Sequence, residues 1–320
     1  MRAYLGSMSA MAAAAMIAGC AGSTPLAPET ARLTSTAAMP AKAPTRGLYV
    51  ANAFAILGYA GKHFRKPYCQ IAGEYGGIAT DASRNLIAPI PGAQSVEIFR
   101  GPALCGSPVA TIAEPYGQPS VAAANDALHG PIAVGNLTDS SGVGSVTVCT
   151  VKSGCTRNLT SPAITGYGGG VAMDNGGNCW LTSENATFTA SIMTYWPKCN
   201  GSGKTAKGYK NASYGTLAID GDGNIVAVDF ANPSAGSEIW VYRGCAPRCK
   251  LVGGPYRLHG NTLFISLNKE AGLLAGVDYG SGAIDVYSYG PTTGVKYLYS
   301  FTSSPSGSET GIAWVPRSEQ

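Results

Sequence analysis

The chain has 320 residues, of which 45% are hydrophobic and only 12% are charged, and 43 are glycine. Globular domains average about 25% charged residues, so this composition is typical of many short strands joined by tight turns. The formal net charge of +4 is not gathered into a Lys/Arg stripe along the sequence, so we do not expect a nucleic-acid partner.

The N-terminus has the pattern of an export signal. One charged residue, Arg2, precedes an Ala/Met-rich apolar run over residues 8–17 that is too short to span a bilayer. The sequence Ile-Ala-Gly-Cys at residues 17–20 resembles the bacterial lipoprotein box, whose cysteine is acylated and becomes the new N-terminus. The resemblance implies a signal peptide over residues 1–19 and a lipid anchor at Cys20, which places the protein on the periplasmic face of the envelope or on the cell surface. The alternative is a soluble secreted protein.

Residues 21–46 are rich in Ala, Pro, Thr and Ser and show no apolar periodicity. Such a segment cannot bury a core, so the sequence predicts a flexible spacer between the lipidated Cys20 and the folded part. The folded domain is predicted to span residues 47–320.

A hairpin phrase recurs along this domain. Its copies are Gly-Ile-Ala-Thr-Asp with Asn-Leu-Ile-Ala at residues 77–88, Gly-Val-Ala-Met-Asp with Asn-Cys-Trp-Leu at 170–181, and Thr-Leu-Ala-Ile-Asp with Asn-Ile-Val-Ala-Val at 216–228. An apolar strand, a Gly/Asp reversal and a return strand predict an antiparallel hairpin. Recurrence at this period indicates the blades of a β-propeller.

A blade of roughly 45 residues fits about six times into the folded domain. We label the strands of each blade A to D from the central channel outward. The strand at residues 47–51 has no inner strand before it, and the strand at residues 311–314 has no blade of its own. The sequence therefore predicts an all-β, six-bladed propeller of four-stranded antiparallel blades, closed by pairing of its C-terminal strand with the N-terminal blade.

The repeated phrase, followed by Ser-Val-Glu-Ile-Phe at residues 95–99, resembles the NHL-repeat and gluconolactonase-like six-bladed propellers over residues 47–320. That superfamily includes lactonases, lyases, sugar dehydrogenases and binding scaffolds. The resemblance therefore implies the fold, and the chemistry has to be argued from the site.

The cysteines predict disulfides. Nine are present, and setting Cys20 aside leaves an even number in a chain expected to reach an oxidising compartment. Zinc is the alternative, but the cysteine spacings do not fit a zinc motif and the chain has only 3 His. The expected pairs are Cys149 with Cys155 and Cys245 with Cys249 at C-to-D turns, Cys179 with Cys199 between a B and a C strand, and Cys69 with Cys105 by elimination.

All of these cysteines map to one end of the predicted ring. In a four-stranded meander the A-to-B and C-to-D turns lie at one end, and the B-to-C and D-to-A connections lie at the other. We call the first end the stapled face and the second the cysteine-free face. We expect a ligand site on the cysteine-free face.

A second recurrence falls on the cysteine-free face. A tyrosine stands just before successive inner strands, and such rings with a polar tip suit sugars or aromatic groups. The alternative is that each ring packs between blades. The candidate ligand-binding residues are Tyr75, Tyr116, Tyr167, Tyr214 and Tyr256.

The metalloenzymes of the resembled family bind a divalent cation at the channel mouth through carboxylate and amide oxygens. The candidate ligands at the equivalent strand ends are Asn52, Glu184, Asp229 and Asp278. Hard oxygen ligands of this kind suit Ca or Mg. The alternative is that these side chains cap their own turns, and the early acidic ligand expected of the lactonases has no match near Gly47.

Two functions are consistent with the sequence. The first is a membrane-tethered, monomeric scaffold without a cofactor that binds a protein or glycan on the cysteine-free face. The second is a divalent-metal-dependent enzyme of the lactonase or lyase type with its site at the channel mouth. The sparse His and acid content favours the scaffold over the enzyme.

Overall fold

The computed structural model describes residues 47–315 apart from 62–63, 102–105, 186, 188–189, 211–214, 231–235, 280 and 304–308. Within these residues the strands form six four-stranded antiparallel sheets. The predicted six-bladed β-propeller is confirmed. The signal peptide, Cys20 and the spacer over residues 21–46 lie outside the described residues.

The first three blades are built as follows. Blade 1 contains β1 (Gly47–Asn52), β2 (Ala55–Ala60) and β3 (Pro67–Ala72). Blade 2 contains β4 (Ala79–Thr80), β5 (Leu86–Ile90), β6 (Ser95–Phe99) and β7 (Ala110–Ala113). Blade 3 contains β8 (Gly117–Ala124), β9 (Ile132–Asp139), β10 (Ser145–Thr150) and β11 (Gly154–Leu159).

The last three blades complete the ring. Blade 4 contains β12 (Gly168–Met173), β13 (Cys179–Glu184), β14 (Ser191–Trp196) and β15 (Lys204–Thr205). Blade 5 contains β16 (Leu217–Ile219), β17 (Ile225–Asp229), β18 (Glu238–Arg243) and β19 (Lys250–Arg257). Blade 6 contains β20 (Thr262–Asn268), β21 (Leu273–Asp278), β22 (Ala283–Gly290) and β23 (Gly294–Thr302), and β24 (Glu309–Val315) follows it. Short 3-10 turns span Pro91–Ala93 and Pro197–Cys199.

The two ends of the described chain close the ring, as predicted. Strand β24 pairs antiparallel with β1 and supplies the inner strand of blade 1, with Trp314 opposite Leu48 and Ile312 opposite Val50. Trp314 and Ile312 are 2% and 3% exposed and pack in the core between blades 1 and 6. Closure therefore pairs a strand edge that would otherwise be open and buries two large apolar side chains.

Side-chain hydroxyls hold the closing strand from both sides. The backbone N–H of Trp314 donates to Ser266 Oγ of blade 6 at 3.0 Å, and Thr80 Oγ1 of blade 2 donates to the Trp314 carbonyl at 2.5 Å. An inner strand has one unpaired backbone edge facing the channel, and each hydroxyl gives that edge a partner.

The recurring Asp and Asn of the sequence form one hydrogen-bonded unit, which we call the Asp–Asn clasp. In each clasp one Asp oxygen accepts the Asn backbone N–H, and the other accepts the Asn side-chain N–H, at 2.8–2.9 Å. A clasp therefore locks the A-to-B turn of its blade. The three clasps are Asp81 with Asn85, Asp174 with Asn178, and Asp220 with Asn224.

Disulfides staple the end of the ring that holds these turns. Cys149 is bonded to Cys155, Cys179 to Cys199 and Cys245 to Cys249. Cys69 is also disulfide-bonded, and its expected partner Cys105 lies outside the described residues. Disulfides fit export to an oxidising compartment. Among the described residues no helix has the length and apolar character needed to cross a bilayer.

Candidate functional site

A cavity of about 840 Å³ lies where the inner strands meet. Its wall consists of small and apolar side chains from the second half of the A strands, and its lining continues onto the A-to-B turns. A volume of this size is sufficient for a small organic ligand. The cavity opens toward the stapled face, whereas the sequence argument expected a ligand site on the cysteine-free face. Apolar residues that line it include Ile78, Val121, Val171, Leu217, Phe264 and Ile312.

Polar side chains from the A-to-B turns surround the mouth of this cavity. They include Arg84, Asn125, Asn175, Lys269 and Glu270. Lys269 is exposed as a whole, but partial burial of its ammonium lowers its pKa, and the nearby Asp220 acts in the opposite direction. The mouth therefore combines cationic, amide and carboxylate groups over an apolar interior.

The carboxylates of the three Asp–Asn clasps, of which Asp81 lines this cavity, serve structure. Each clasped Asp has one further partner for its Oδ2 atom. Asp81 accepts the backbone N–H of Ala127 at 2.8 Å, Asp174 accepts Trp180 Nε1–H at 3.0 Å, and Asp220 accepts the Tyr289 hydroxyl at 3.0 Å. Two of these bonds cross to a neighbouring blade. The repeated acid that marks the fold in the sequence thus serves to hold hairpins and blades together.

Two of the predicted tyrosines, Tyr75 and Tyr256, make their described contacts inside the fold. Tyr75 is 5% exposed, donates its hydroxyl to Glu97 Oε2 at 3.1 Å and packs edge-on against Phe99. Burial raises the Tyr75 pKa. Tyr256 lies in the outer strand β19, where its hydroxyl donates to the Pro291 carbonyl at 3.2 Å. These two rings fill positions between strands and blades.

Two other predicted tyrosines remain candidates for ligand contact. Tyr116 and Tyr167 are half-buried and lie in D-to-A connections on the cysteine-free face. Tyr214 lies outside the described residues, and none of the described tyrosines lines the channel cavity.

Two of the predicted metal ligands, Asn52 and Asp278, accept hydrogen bonds within connections between strands. Asn52 Oδ1 accepts the backbone N–H groups of Phe54 and Ala55, both at 2.9 Å. Asp278 accepts the Asn261 N–H at 2.9 Å and the Ser281 hydroxyl at 2.6 Å. No three His, Cys, Asp or Glu side chains in the described part of the chain gather as a metal site would require.

The other two predicted ligands lie at strand ends. Glu184 ends β13 and is 3% exposed, and Asp229 ends β17. Coordination of Ca or Mg by the four residues stays a prediction.

One polar cluster has no counterpart in the sequence argument. Between blades 5 and 6 the His259 ring lies 4.2 Å from the Tyr297 ring, centre to centre. The Tyr287 hydroxyl accepts the His259 backbone N–H at 2.8 Å and donates to Asp285 Oδ2 at 3.3 Å. Burial raises the pKa of Asp285. These residues come from a connection and two strands without a fixed spacing, so no motif could have indicated them.

Comparison with known proteins shows similarity of fold but no similarity of sequence to a known family. No protein-family model matches the chain, and no curated protein matches it in sequence. A chain from the crystal structure of a nidogen/laminin complex superposes with a TM-score of 0.65 at 15% identity, over 84% of this chain and 98% of that one. They share the fold.

Two bacterial structures are similar at the same level. TolB from Acinetobacter baumannii has a TM-score of 0.57 at 13% identity, over 85% of this chain and 66% of TolB. A putative 6-phosphogluconolactonase from Bacteroides fragilis has a TM-score of 0.52 at 9% identity, over 84% of this chain and 98% of that one. These similarities show the fold alone, a six-bladed β-propeller. Its activity has to come from its own residues.

Proposed function

We propose that this protein is an exported β-propeller, anchored to the bacterial envelope by lipid at Cys20, that binds a protein or glycan on its cysteine-free face. The disulfides on the opposite end support export, because such bonds persist in oxidising compartments. The lipoprotein box supports the anchor.

The placement of Glu114 is the observation that carries the binding role. This carboxylate is 0% exposed, and its two oxygens accept the backbone N–H groups of Tyr116 at 3.3 Å and Gly117 at 2.8 Å. The buried Glu114 thus fixes the backbone of the connection that carries Tyr116, whose half-buried ring lies on the cysteine-free face. A connection whose backbone is fixed before a partner arrives loses little entropy on binding, which favours a recognition surface.

The turn-capping bonds of Asn52 and Asp278 act in the same way on other connections of this face. They support a rigid platform assembled from several blades. The similarity to a propeller crystallised in a complex of two proteins is consistent with this role.

Site-specific cross-linking in cells tests the binding face. A Tyr116→p-benzoylphenylalanine protein should form a discrete adduct on illumination. Tyr297, which is 39% exposed on the outer strand β23, is the matched aromatic control and should form none. Failure of the Tyr116 protein to form an adduct, or equal adducts from both positions, would contradict the binding face.

The anchor has its own test. Cys20→Ser removes the acceptor thiol of the lipoprotein box, so incorporation of a labelled fatty acid should be lost. Undiminished labelling of this variant would show that the anchor is elsewhere.

A further inference from the structure

Exposed cations surround the stapled face, although the sequence shows no basic stripe. Each blade places one in a C-to-D or A-to-B turn, so they are spread around the whole ring. We call them the cation ring. In blade order they are Lys66, Arg100, Lys152, Lys198, Arg248 and Lys269.

Other charges at this end leave an excess of positive charge. Lys204, Arg243 and Lys250 are further exposed cations beside the same turns. Of the carboxylates there, Asp81 and Asp220 are buried in their clasps, 2% and 4% exposed, whereas Asp126, Asp174, Asp222 and Glu270 are partly or fully exposed and offset four of these nine cations. The cations thus reach outward while those two acids lie inside.

The cysteine-free face carries the opposite charge. An acid stands at a strand end or in a connection of this face once for each blade. These acids are Glu74, Asp139, Asp229 and Asp278, which are at least partly exposed, and Glu114 and Glu184, which are buried and add less to the surface charge. Arg257, a cation at this end, lies 3.7 Å from Glu238. The molecule is therefore polarised along the channel axis, and an anionic surface attracts one face and repels the other.

The chain enters the ring on the cationic side. Gly47, the first residue of β1, pairs with Val315, the last residue of β24, and both lie where A-to-B turns lie in the other blades. Everything before Gly47, Cys20 included, joins the propeller at the stapled face. The spacer predicted for residues 21–46 would span roughly 30 Å, so an anchor at Cys20 would limit the distance of the propeller from a bilayer without fixing its orientation.

We propose that the cation ring docks the stapled face onto anionic lipid headgroups of the membrane that holds Cys20, so that the cysteine-free face points away from the bilayer. This inference rests on the proposed lipid anchor and adds the orientation of the protein. Basic residues close to an anionic bilayer each strengthen attachment, and a lipid chain combined with a basic patch holds more firmly than the chain alone. Orientation would present the Tyr116 face to partners.

Chemical footprinting of the mature acylated protein tests the proposal. The protein is reconstituted in vesicles of phosphatidylcholine alone or of phosphatidylcholine with phosphatidylglycerol, and exposed amines are acetylated with a membrane-impermeant reagent. In the anionic vesicles acetylation of Lys66, Lys152 and Lys198 should slow by about fivefold or more. The internal reference is Lys210, an exposed residue in the connection from β15 to β16. Salt at about 1 M should remove the protection.

A matched pair of variants separates the cation ring from net charge. Lys66→Ala with Lys152→Ala lowers the net charge by as much as Arg257→Glu does, but on the opposite face. In the double variant the acetylation rate of Lys198 in anionic vesicles should return toward its rate in phosphatidylcholine alone, because each charge removed weakens attachment by about fivefold, and the protection should persist in Arg257→Glu.

Three results would overturn the docking: protection that is equal in both kinds of vesicle, protection in neither, or an equal loss in both variants. If the protein floats with vesicles in a density gradient but its lysines are not protected, the lipid anchor is supported and the docking is refuted. A protein that floats with neither kind of vesicle refutes the anchor, and the docking with it.

Discussion

Asp220 ties together two blades through one carboxylate. It is 4% exposed, accepts both N–H groups of Asn224 at 2.8 Å and accepts the Tyr289 hydroxyl of the next blade at 3.0 Å. Asp220→Ala leaves these donors without an acceptor, so we expect a loss of about 3 kcal/mol in the free energy of unfolding. Asp222→Ala, two residues away in the same turn and exposed, should change it by less than about 0.5 kcal/mol. Urea unfolding of both variants measures the difference, and equal losses would contradict the clasp.

Asp285 should make stability depend on pH. It is 5% exposed, and burial raises its pKa, with Asp278 acting in the same direction and the Tyr287 hydroxyl and His259 acting against it. A carboxyl whose pKa is higher in the folded protein binds its proton more tightly there, so stability is fully present below the unfolded pKa and falls as pH rises through the folded one.

Asp285→Asn removes this titration and keeps an oxygen that can accept the Tyr287 hydroxyl. The variant should therefore lose less stability than the parent as pH rises from about 3 to about 7, and it should be as stable or more stable at neutral pH. Urea unfolding at a series of pH values provides the comparison. Parallel curves for the two proteins would show that Asp285 does not titrate in this way.

At the scale of single residues the sequence revealed the positions of the clasps but not their chemistry. Asp and Asn recur four residues apart because the turn between them is the same in each copy. The third bond of each Asp goes to a different partner, and two of these partners lie in another blade. The contacts of Asp285, Tyr287 and His259 likewise depend on how two blades pack, which no local spacing encodes.

Two disulfides of the stapled face differ in how much of the chain they constrain. Cys149 and Cys155 are 6 residues apart across one turn, whereas Cys179 and Cys199 are 20 residues apart. The entropy that a cross-link removes from the unfolded chain grows slowly with the loop it closes. Replacing both cysteines by serine should cost about 2 kcal/mol for the first pair and about 3 kcal/mol for the second. Denaturant midpoints of the two double variants test the order, and a larger loss for the first pair would reverse it.

At the scale of strands, alternating apolar residues predicted the middle of the blades better than their edges. Alternating apolar residues at 95–99, 145–148, 238–242 and 283–287 of the sequence indicate strands, and the C strands β6, β10, β18 and β22 lie there. The inner strand β4 is reduced to two residues, Ala79–Thr80, and the outer strand β15 to Lys204–Thr205. Strands at a sheet edge have fewer partners, so their length depends on contacts that a sequence pattern does not record.

At the scale of the whole molecule, ring closure could be predicted from two incomplete ends. The N-terminal blade lacked an inner strand, the C-terminal strand lacked a blade, and β24 pairs with β1 accordingly. The division of charge between the two faces could not be predicted from the sequence, because the cations of the stapled face are separated along the chain by whole blades. The fold can therefore be predicted from patterns within single blades, whereas the separation of charge becomes visible only when all six blades are placed in the ring.

Deleting residues 309–320 tests the closure on which the architecture depends. The deletion removes β24, leaves the edge of β1 without a partner and takes Ile312 and Trp314 out of the core between blades 1 and 6. We expect a loss of several kcal/mol, comparable to the whole stability of a typical domain, so the truncated protein should aggregate or lose its cooperative melt.

Two companion variants make the closure test specific. Trp314→Ala keeps the strand and should cost about 3–5 kcal/mol, because it empties a buried site without opening the sheet. Deleting the spacer over residues 21–46 should leave the melt unchanged. A C-terminal truncation that melts like the parent would mean that β1 does not depend on β24, and that the ring is closed by other contacts.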